Sequence, residues 1–469
     1  MNLRTRVLRG GVYLILRQGL GVVIGAVGVI LLTRSLGPEA YGIYAAAFGI
    51  YSYLFNMSKW GVDVYLIRYE GEPQPQDYHQ AFSLLVLLSL AGIGVALLVL
   101  PFIEWWVRLE GFGPVAMALF AVLPVHLLGL VPLARLERAL NYRRVASIEL
   151  SGQIALYVVA LTLAYRGQGP WAPVFGLWVS QLLMSSLLYL MSGYRPKLHW
   201  EFARVRAMVG YGLGFSAADW IWSLRPLVNP LVVGRYAGAE AVGYVALVIR
   251  LVEQLGFVKA VTWRLSIAAL ARVQTDRARL VSAINEGMRL QVLALGGFLV
   301  AFSLVAPMIL PPLLGSNWLP VLEVYPFIAL GYLASTLFQL HSSVLYVLQR
   351  NRQVMIFHLV YIALFAGSAL WLVPLMGFIG YGWAEVVALV SYIVIHLLIV
   401  KEVGKPNYRL AGLWMLAFAL ALFWRELGWV AMLGMVGVAL WPETWRALGI
   451  YIRYLRKVRY EGVANEHHH

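Results

Sequence analysis

The sequence contains no cysteine, so neither a disulfide nor a thiolate metal site nor a thioether-linked haem can form. Charge is scarce as well: 13% of the 469 residues are Asp, Glu, Lys or Arg, against 61% hydrophobic, and mean hydropathy is +0.75. Such a composition excludes a soluble globule, which needs more polar groups to cover its surface. No Walker-type phosphate loop with its lysine is present, so ATP does not drive this chain directly. The histidines His126, His341, His358 and His396 stand far apart without ligand spacing, and no metal site is expected.

What remains is a series of apolar runs long enough to cross a bilayer, since about 20 helical residues span about 30 Å of hydrocarbon. Spans are read at 10–32, 41–67, 80–102, 114–134, 145–165, 171–192, 208–233, 241–263, 289–311, 321–347, 354–373 and 379–400, followed by shorter runs at 410–424 and 428–441. The first run is too long for the apolar region of a signal peptide, so it is read as a span. The expectation is an all-α polytopic membrane protein of about fourteen transmembrane helices.

Net charge is +15, which in a soluble protein would suggest nucleic acid; here its placement decides. Alternate breaks starting from the N-terminus hold nearly all the loop Lys and Arg, including Arg135, Arg138, Arg143, Arg144, Arg195, Lys197, Arg204 and Arg206. The opposite breaks hold only Arg34, Arg108, Arg166, Arg235 and Arg425. The positive-inside rule then puts both termini in the cytoplasm and excludes a nucleic-acid partner. A single thirteenth span would carry the basic tail outside, which is why 410–441 is read as a hairpin.

The segment Arg34–Gly42, between spans one and two, returns as Arg235–Gly243, between spans seven and eight. Arg34, Gly37, Glu39, Ala40 and Gly42 fall on Arg235, Gly238, Glu240, Ala241 and Gly243. Six spans separate the copies, so both face the same way, as in parallel repeats about an axis along the membrane normal. The reading is two six-helix lobes, 1–195 and 196–405, then a hairpin and basic tail, 406–461. The remainder, 462–469, ends in Glu466-His467-His468-His469 and looks like the remnant of a purification tag. The basic linker Tyr194–Arg206 carries Trp200, Phe202 and Val205, which suit a position on the membrane surface.

The stretch Arg17–Arg68, with Leu32-Thr33-Arg34-Ser35-Leu36-Gly37-Pro38-Glu39-Ala40-Tyr41-Gly42 at its centre, resembles the polysaccharide transporter (Wzx-type) flippases of the MOP superfamily. The residue match covers about the first 70 positions, and the two-lobe, even-span plan agrees over the whole chain. The resemblance implies movement of an undecaprenyl-pyrophosphate-linked oligosaccharide, an O-antigen or exopolysaccharide repeat unit, from the inner to the outer leaflet of the bacterial inner membrane. It implies no enzyme activity and no cofactor. Partners would be the lipid-linked oligosaccharide, membrane lipids and a polysaccharide polymerase; coupling to protons, sodium or the membrane potential stays open. Two rivals are a membrane glycosyltransferase or polymerase, which usually carries a large outer loop, and a MATE-like exporter, which would want an acidic cavity.

Ionisable residues inside apolar runs are the site candidates, because each costs free energy unless it faces water or a partner. Arg17 and Arg250 fall near the midplane, and guanidinium grips a diphosphate in bidentate fashion. The competing reading of Arg250 is an ion pair with Glu253 one turn away. Lys59 and Asp63 are placed to pair on one helix face, and Lys259 can snorkel. Span seven carries Asp219, then Arg225-Pro226 and Asn229-Pro230, which predicts a bent helix lining protein or a cavity. Asp219, Asp63 and Glu253 are the candidate ion-coupling groups. Arg17, Arg250, Lys59 and Arg225 are the candidate cations for substrate, and Trp220 and Trp222 the candidate stacking surfaces for sugar. Gly21 and Gly25 are spaced for close helix approach.

Overall fold

The computed structural model describes residues 3–256, 259, 270 and 273–449, the side chains of 3–18, 214 and 215 excepted. Arg264, Arg272 and the basic tail beyond 449 therefore lie outside the described residues. Among these, all regular structure is helical, and ten helices are long and apolar enough to cross a membrane. They are α1 (Gly19–Ser58), α2 (Pro75–Val107), α3 (Phe112–Arg138), α4 (Tyr142–Tyr165), α5 (Trp171–Ser192), α6 (Ser216–Leu255), α7 (Arg277–Leu314), α8 (Val321–Val347), α9 (Asn351–Met376) and α10 (Phe378–Glu402). Two shorter apolar helices follow, α11 (Arg409–Leu422) and α12 (Trp429–Leu440), with the break between them that the sequence suggests.

Both α1 and α6 are 40 residues long, and at about 1.5 Å per residue such a rod would be twice the hydrocarbon thickness. Each is in fact two spans joined at a glycine. Gly37 has φ 73°, ψ 170° and Gly238 has φ 84°, ψ −179°, a conformation closed to side chains with a Cβ. The two repeat copies thus make the same break with the same residue. With both helices divided and α11 and α12 added, the fourteen expected segments are present.

Helix ends depart from the sequence reading where turn chemistry intervenes. Span two stops at Ser58, because Trp60 and Gly61 take positive φ (44° and 67°), and the chain resumes as a short helix, Val62–Arg68. Arg138 Nη1 donates to the carbonyls of Leu66, Ile67 and Tyr69, satisfying the end of that helix. α2 begins at Pro75 with a capping box between Gln74 and Asp77. Span seven is helical over Phe202–Trp222, tightens to a 3₁₀ turn at Arg225–Leu227 and widens to a π turn at Asn229–Val233, around its two prolines.

The described chain forms two compact units. One comprises Met1–Gln254, Pro307–Tyr325 and Asn351–Ser391. In it α4 and α5 pack as an antiparallel hairpin, and α4 meets the glycine face of α1: Gln153 Nε2 donates to Gly21 O (2.8 Å) and Tyr157 Oη to Gly25 O (3.3 Å). The linker docks on the start of α2, with Glu201 N donating to Gln80 Oε1 (2.6 Å) and His199 N to Ser83 Oγ (2.8 Å). Arg204 pairs with both Glu201 and the buried Asp77, while Leu198, Trp200 and Phe202 stay exposed.

The other unit comprises Leu255–Ala306, Pro326–Arg350 and Tyr392–His469. Its centre is Tyr408, whose hydroxyl meets His341 Nε2 (2.7 Å) and His396 Nδ1 (2.8 Å). Burial raises the Tyr408 phenol pKa, keeping it a neutral hydrogen-bonding group. Lys259 does not simply snorkel: its ammonium donates to Ser335 Oγ (2.6 Å) and lies 4.4 Å from the Tyr332 ring centroid.

Candidate functional site

The candidates with described side chains, Lys59, Asp63, Asp219, Trp220, Trp222, Arg225, Arg250 and Glu253, all lie in the first unit. Its structure sorts them by partner. For Arg17 the helix backbone is described and the side chain is not.

Arg250 projects from α6 over α1. Its guanidinium carbon is 5.7 Å from the centroid of the Phe48 ring, a cation–π arrangement. The only carboxylate within ion-pair distance among the described residues is Glu253, at a loose 3.5 Å, and the two side chains are 46% and 49% exposed. The pair foreseen from the spacing is present, but both ends remain open.

Lys59 turns away from Asp63. Gly61 breaks the helix between them, so the one-turn register is lost, and the ammonium instead lies 4.0 Å from Asp219, itself 52% exposed. Asp63 Oδ1 is buried with no hydrogen-bond partner. Trp220 packs 6.3 Å from Trp60 and donates from Nε1 to Asn56 O (3.0 Å).

Arg225 is in a different situation. It pairs with Glu385, which is fully buried on α10, and its Nε donates to Tyr361 Oη (3.3 Å) on α9. Tyr361 in turn donates to the other carboxylate oxygen of Glu385 (2.7 Å). Trp222 completes the cluster, its ring tilted against Tyr361 (5.3 Å) and His358 (4.8 Å). The irregular turns of span seven deliver Arg225 into this triad. Glu385 and Tyr361 are not among the residues singled out from the sequence, although the signal was there, Glu385 being the only charged residue between 379 and 400.

At the end of this unit that carries both repeat copies, the copies meet each other reciprocally. A Cβ on Gly42 would collide with the carbonyl of Ala239, and one on Gly243 with the carbonyl of Pro38, the equivalent residue of the other copy. Arg34 Nη1 donates to Pro312 O (3.0 Å), and Arg235 lies 5.3 Å above the Trp106 ring. Trp318, 1% exposed, stands edge-on between Tyr41 (5.9 Å) and Tyr244 (6.0 Å). The two copies are thus in direct backbone contact. No group of three metal-ligating side chains occurs among the described residues.

Ten long apolar helices, two of them broken at equivalent glycines of an internal repeat, define a multi-pass membrane protein. The family description "Polysaccharide biosynthesis protein" matches residues 31–323, more than half of the chain. The protein belongs to that family.

Among its relatives is the succinoglycan biosynthesis transport protein ExoT of Rhizobium meliloti, 29% identical over 46% of this chain and 44% of that protein. The match thus spans less than half of that relative. Another is the lipopolysaccharide biosynthesis protein WzxC of Escherichia coli, 23% identical over 69% of this chain and 67% of its own length. In three dimensions the chain is similar to the lipid II flippase MurJ in an inward closed conformation, with TM-score 0.72 and 13% identity over 96% of this chain and 99% of that one. The MATE multidrug transporter DinF-BH has TM-score 0.54 and 18% identity over 85% and 96%. These two likenesses concern the fold.

Proposed function

We propose that this protein flips a polyprenyl-diphosphate-linked oligosaccharide, an O-antigen or exopolysaccharide repeat unit, from the cytoplasmic to the outer leaflet of a bacterial inner membrane by alternating access. One observation carries the reading: Arg250 is a permanent cation deep in an apolar helix, half exposed and only loosely paired. An arginine kept for structure would be closed in by its partner, as Arg225 is. An open one is available to an anion that hydrocarbon would otherwise repel, and a diphosphate fits a guanidinium. Arg17 is the expected second cation, and Lys59 a third, exchangeable with Asp219.

The family, the transport names of its relatives and the flippase-like fold support this reading. Both termini face the cytoplasm in it, and the repeat junction closes the outer end. Asp219, half exposed beside Lys59, is the favoured group for coupling to protons or sodium, with Glu253 and Asp63 behind it; a polysaccharide polymerase is the expected receiver of the product. The test is reconstitution of the purified chain in liposomes with a fluorescent lipid-linked oligosaccharide. Protein-dependent transfer between leaflets, with no lengthening of the glycan, is the result expected. Conversion to a longer product, abolished by a point mutation, would replace the flippase with an enzyme.

A further inference from the structure

The cations account for a diphosphate but leave unexplained a set of neutral groups around Arg250 in the same unit. Tyr44 and Phe48 lie one turn apart on α1, with ring centroids 5.6 Å apart and planes at 30°, forming a two-ring platform. Both are half-buried, whereas Tyr41 and Tyr51 on the same helix are 5% and 2% exposed. An aromatic stripe that only packed would be buried throughout. The guanidinium of Arg250 rests over the Phe48 end of this platform.

On the first part of α1, three polar side chains converge on Gly25, which offers no side chain of its own. The site a Cβ would occupy there is 3.3 Å from Gln153 Nε2, 3.6 Å from Gln254 Nε2 and 4.0 Å from Tyr157 Oη. Gln153 and Tyr157 already donate to backbone carbonyls of α1. Gln254, one turn beyond Arg250 on α6, has its Oε1 buried with no hydrogen-bond partner. A buried amide oxygen left unpaired is unfavourable, so the place calls for a donor. If the amide is turned about, its NH₂ calls for an acceptor; a hydroxyl serves either way.

We propose that Tyr44, Phe48 and Gln254 form a subsite for the first sugar ring of the lipid-linked substrate, with Gln153 and Tyr157 at its rim. The inference rests on the reading that Arg250 grips the diphosphate. The first sugar is bonded directly to that group, so a diphosphate at Arg250 places the ring about one helical turn away, ~5 Å, over Phe48 and Tyr44. A pyranose presents an apolar C–H face to an aromatic ring and a rim of hydroxyls to amides, and the platform and Gln254 offer those two surfaces at right angles to the cation's role.

Two probes separate the parts: a short-chain polyprenyl diphosphate, and the same molecule bearing one hexose, each measured for binding to the full chain in lipid nanodiscs. The wild type should bind the hexose-bearing probe about tenfold more tightly, the effect of one or two good contacts. Tyr44→Leu and Gln254→Leu should abolish that preference and leave the bare probe unchanged, while Tyr44→Phe keeps it. Arg250→Ala should weaken both probes. Equal affinities in the wild type, or equal losses for both probes in Tyr44→Leu, would overturn the sugar subsite while leaving the diphosphate reading intact. If Arg250→Ala alters neither probe, the diphosphate reading itself falls, and the subsite with it.

Discussion

Arg225 and Arg250 look alike in the sequence, each a lone arginine in an apolar stretch. Partners separate them. Glu385 is fully buried, and removing Arg225 would strand its charge, so Arg225→Ala should cost about 3–5 kcal/mol of stability. Replacing both with methionine should recover much of that loss, which thermal unfolding of the single and double variants would check; an unchanged Tm in Arg225→Ala would refute the buried pair. The open pair at Arg250 is worth about 0–1 kcal/mol. Their place inside apolar runs was legible from the sequence in both cases, because position along a helix follows from counting residues. Partnership was not, since Glu385 is 160 residues from Arg225 and no local rule joins them. The expected Lys59 pairing with Asp63 went astray for the opposite reason: the spacing was right, but left-handed Gly61 removed the helix that gives spacing its meaning.

Among the elements, the two broken helices α1 and α6 were the most legible, because the same motif breaks both. Gly37 and Gly238 share a backbone conformation, and Gly42 and Gly243 each press against the other copy's carbonyl. The contact needs hydrogen at both positions, so Gly42→Ala or Gly243→Ala should force the junction apart. A cysteine at Ala46, fully buried one turn below Gly42, should then react severalfold faster with an impermeant maleimide added from outside. Unaltered labelling with unaltered Tm would show that the glycines do not hold the closure. The chain contains no native cysteine to confuse the readout. Less legible were the stop at Trp60–Gly61 and the 3₁₀ and π turns around Arg225. Both sit inside runs whose hydrophobicity alone reads as uninterrupted helix.

At the scale of the whole molecule, charge asymmetry predicts an orientation before any coordinate is known. Cysteines at Ser35 and Gly169 should label from outside intact cells, and cysteines at Ala139 and Ala278 only after lysis; the reverse at both pairs would invert the topology. The segments that join to form each compact unit were beyond local patterns, because each unit is assembled from stretches distant in the chain. The internal repeat, by contrast, could be read directly from two nine-residue segments. The account as a whole depends on deep arginines serving a passing diphosphate, and leaflet transfer measured beside Tm on the same purified variants tests that most directly. Arg17→Ala and Arg250→Ala should each lose most flipping of a fluorescent lipid-linked oligosaccharide in proteoliposomes with Tm close to wild type. Lysine at either place should restore only part of the rate, having lost the bidentate grip. If both alanine variants flip at the wild-type rate, or lose transport only in proportion to folded protein lost, the deep arginines do not carry the substrate.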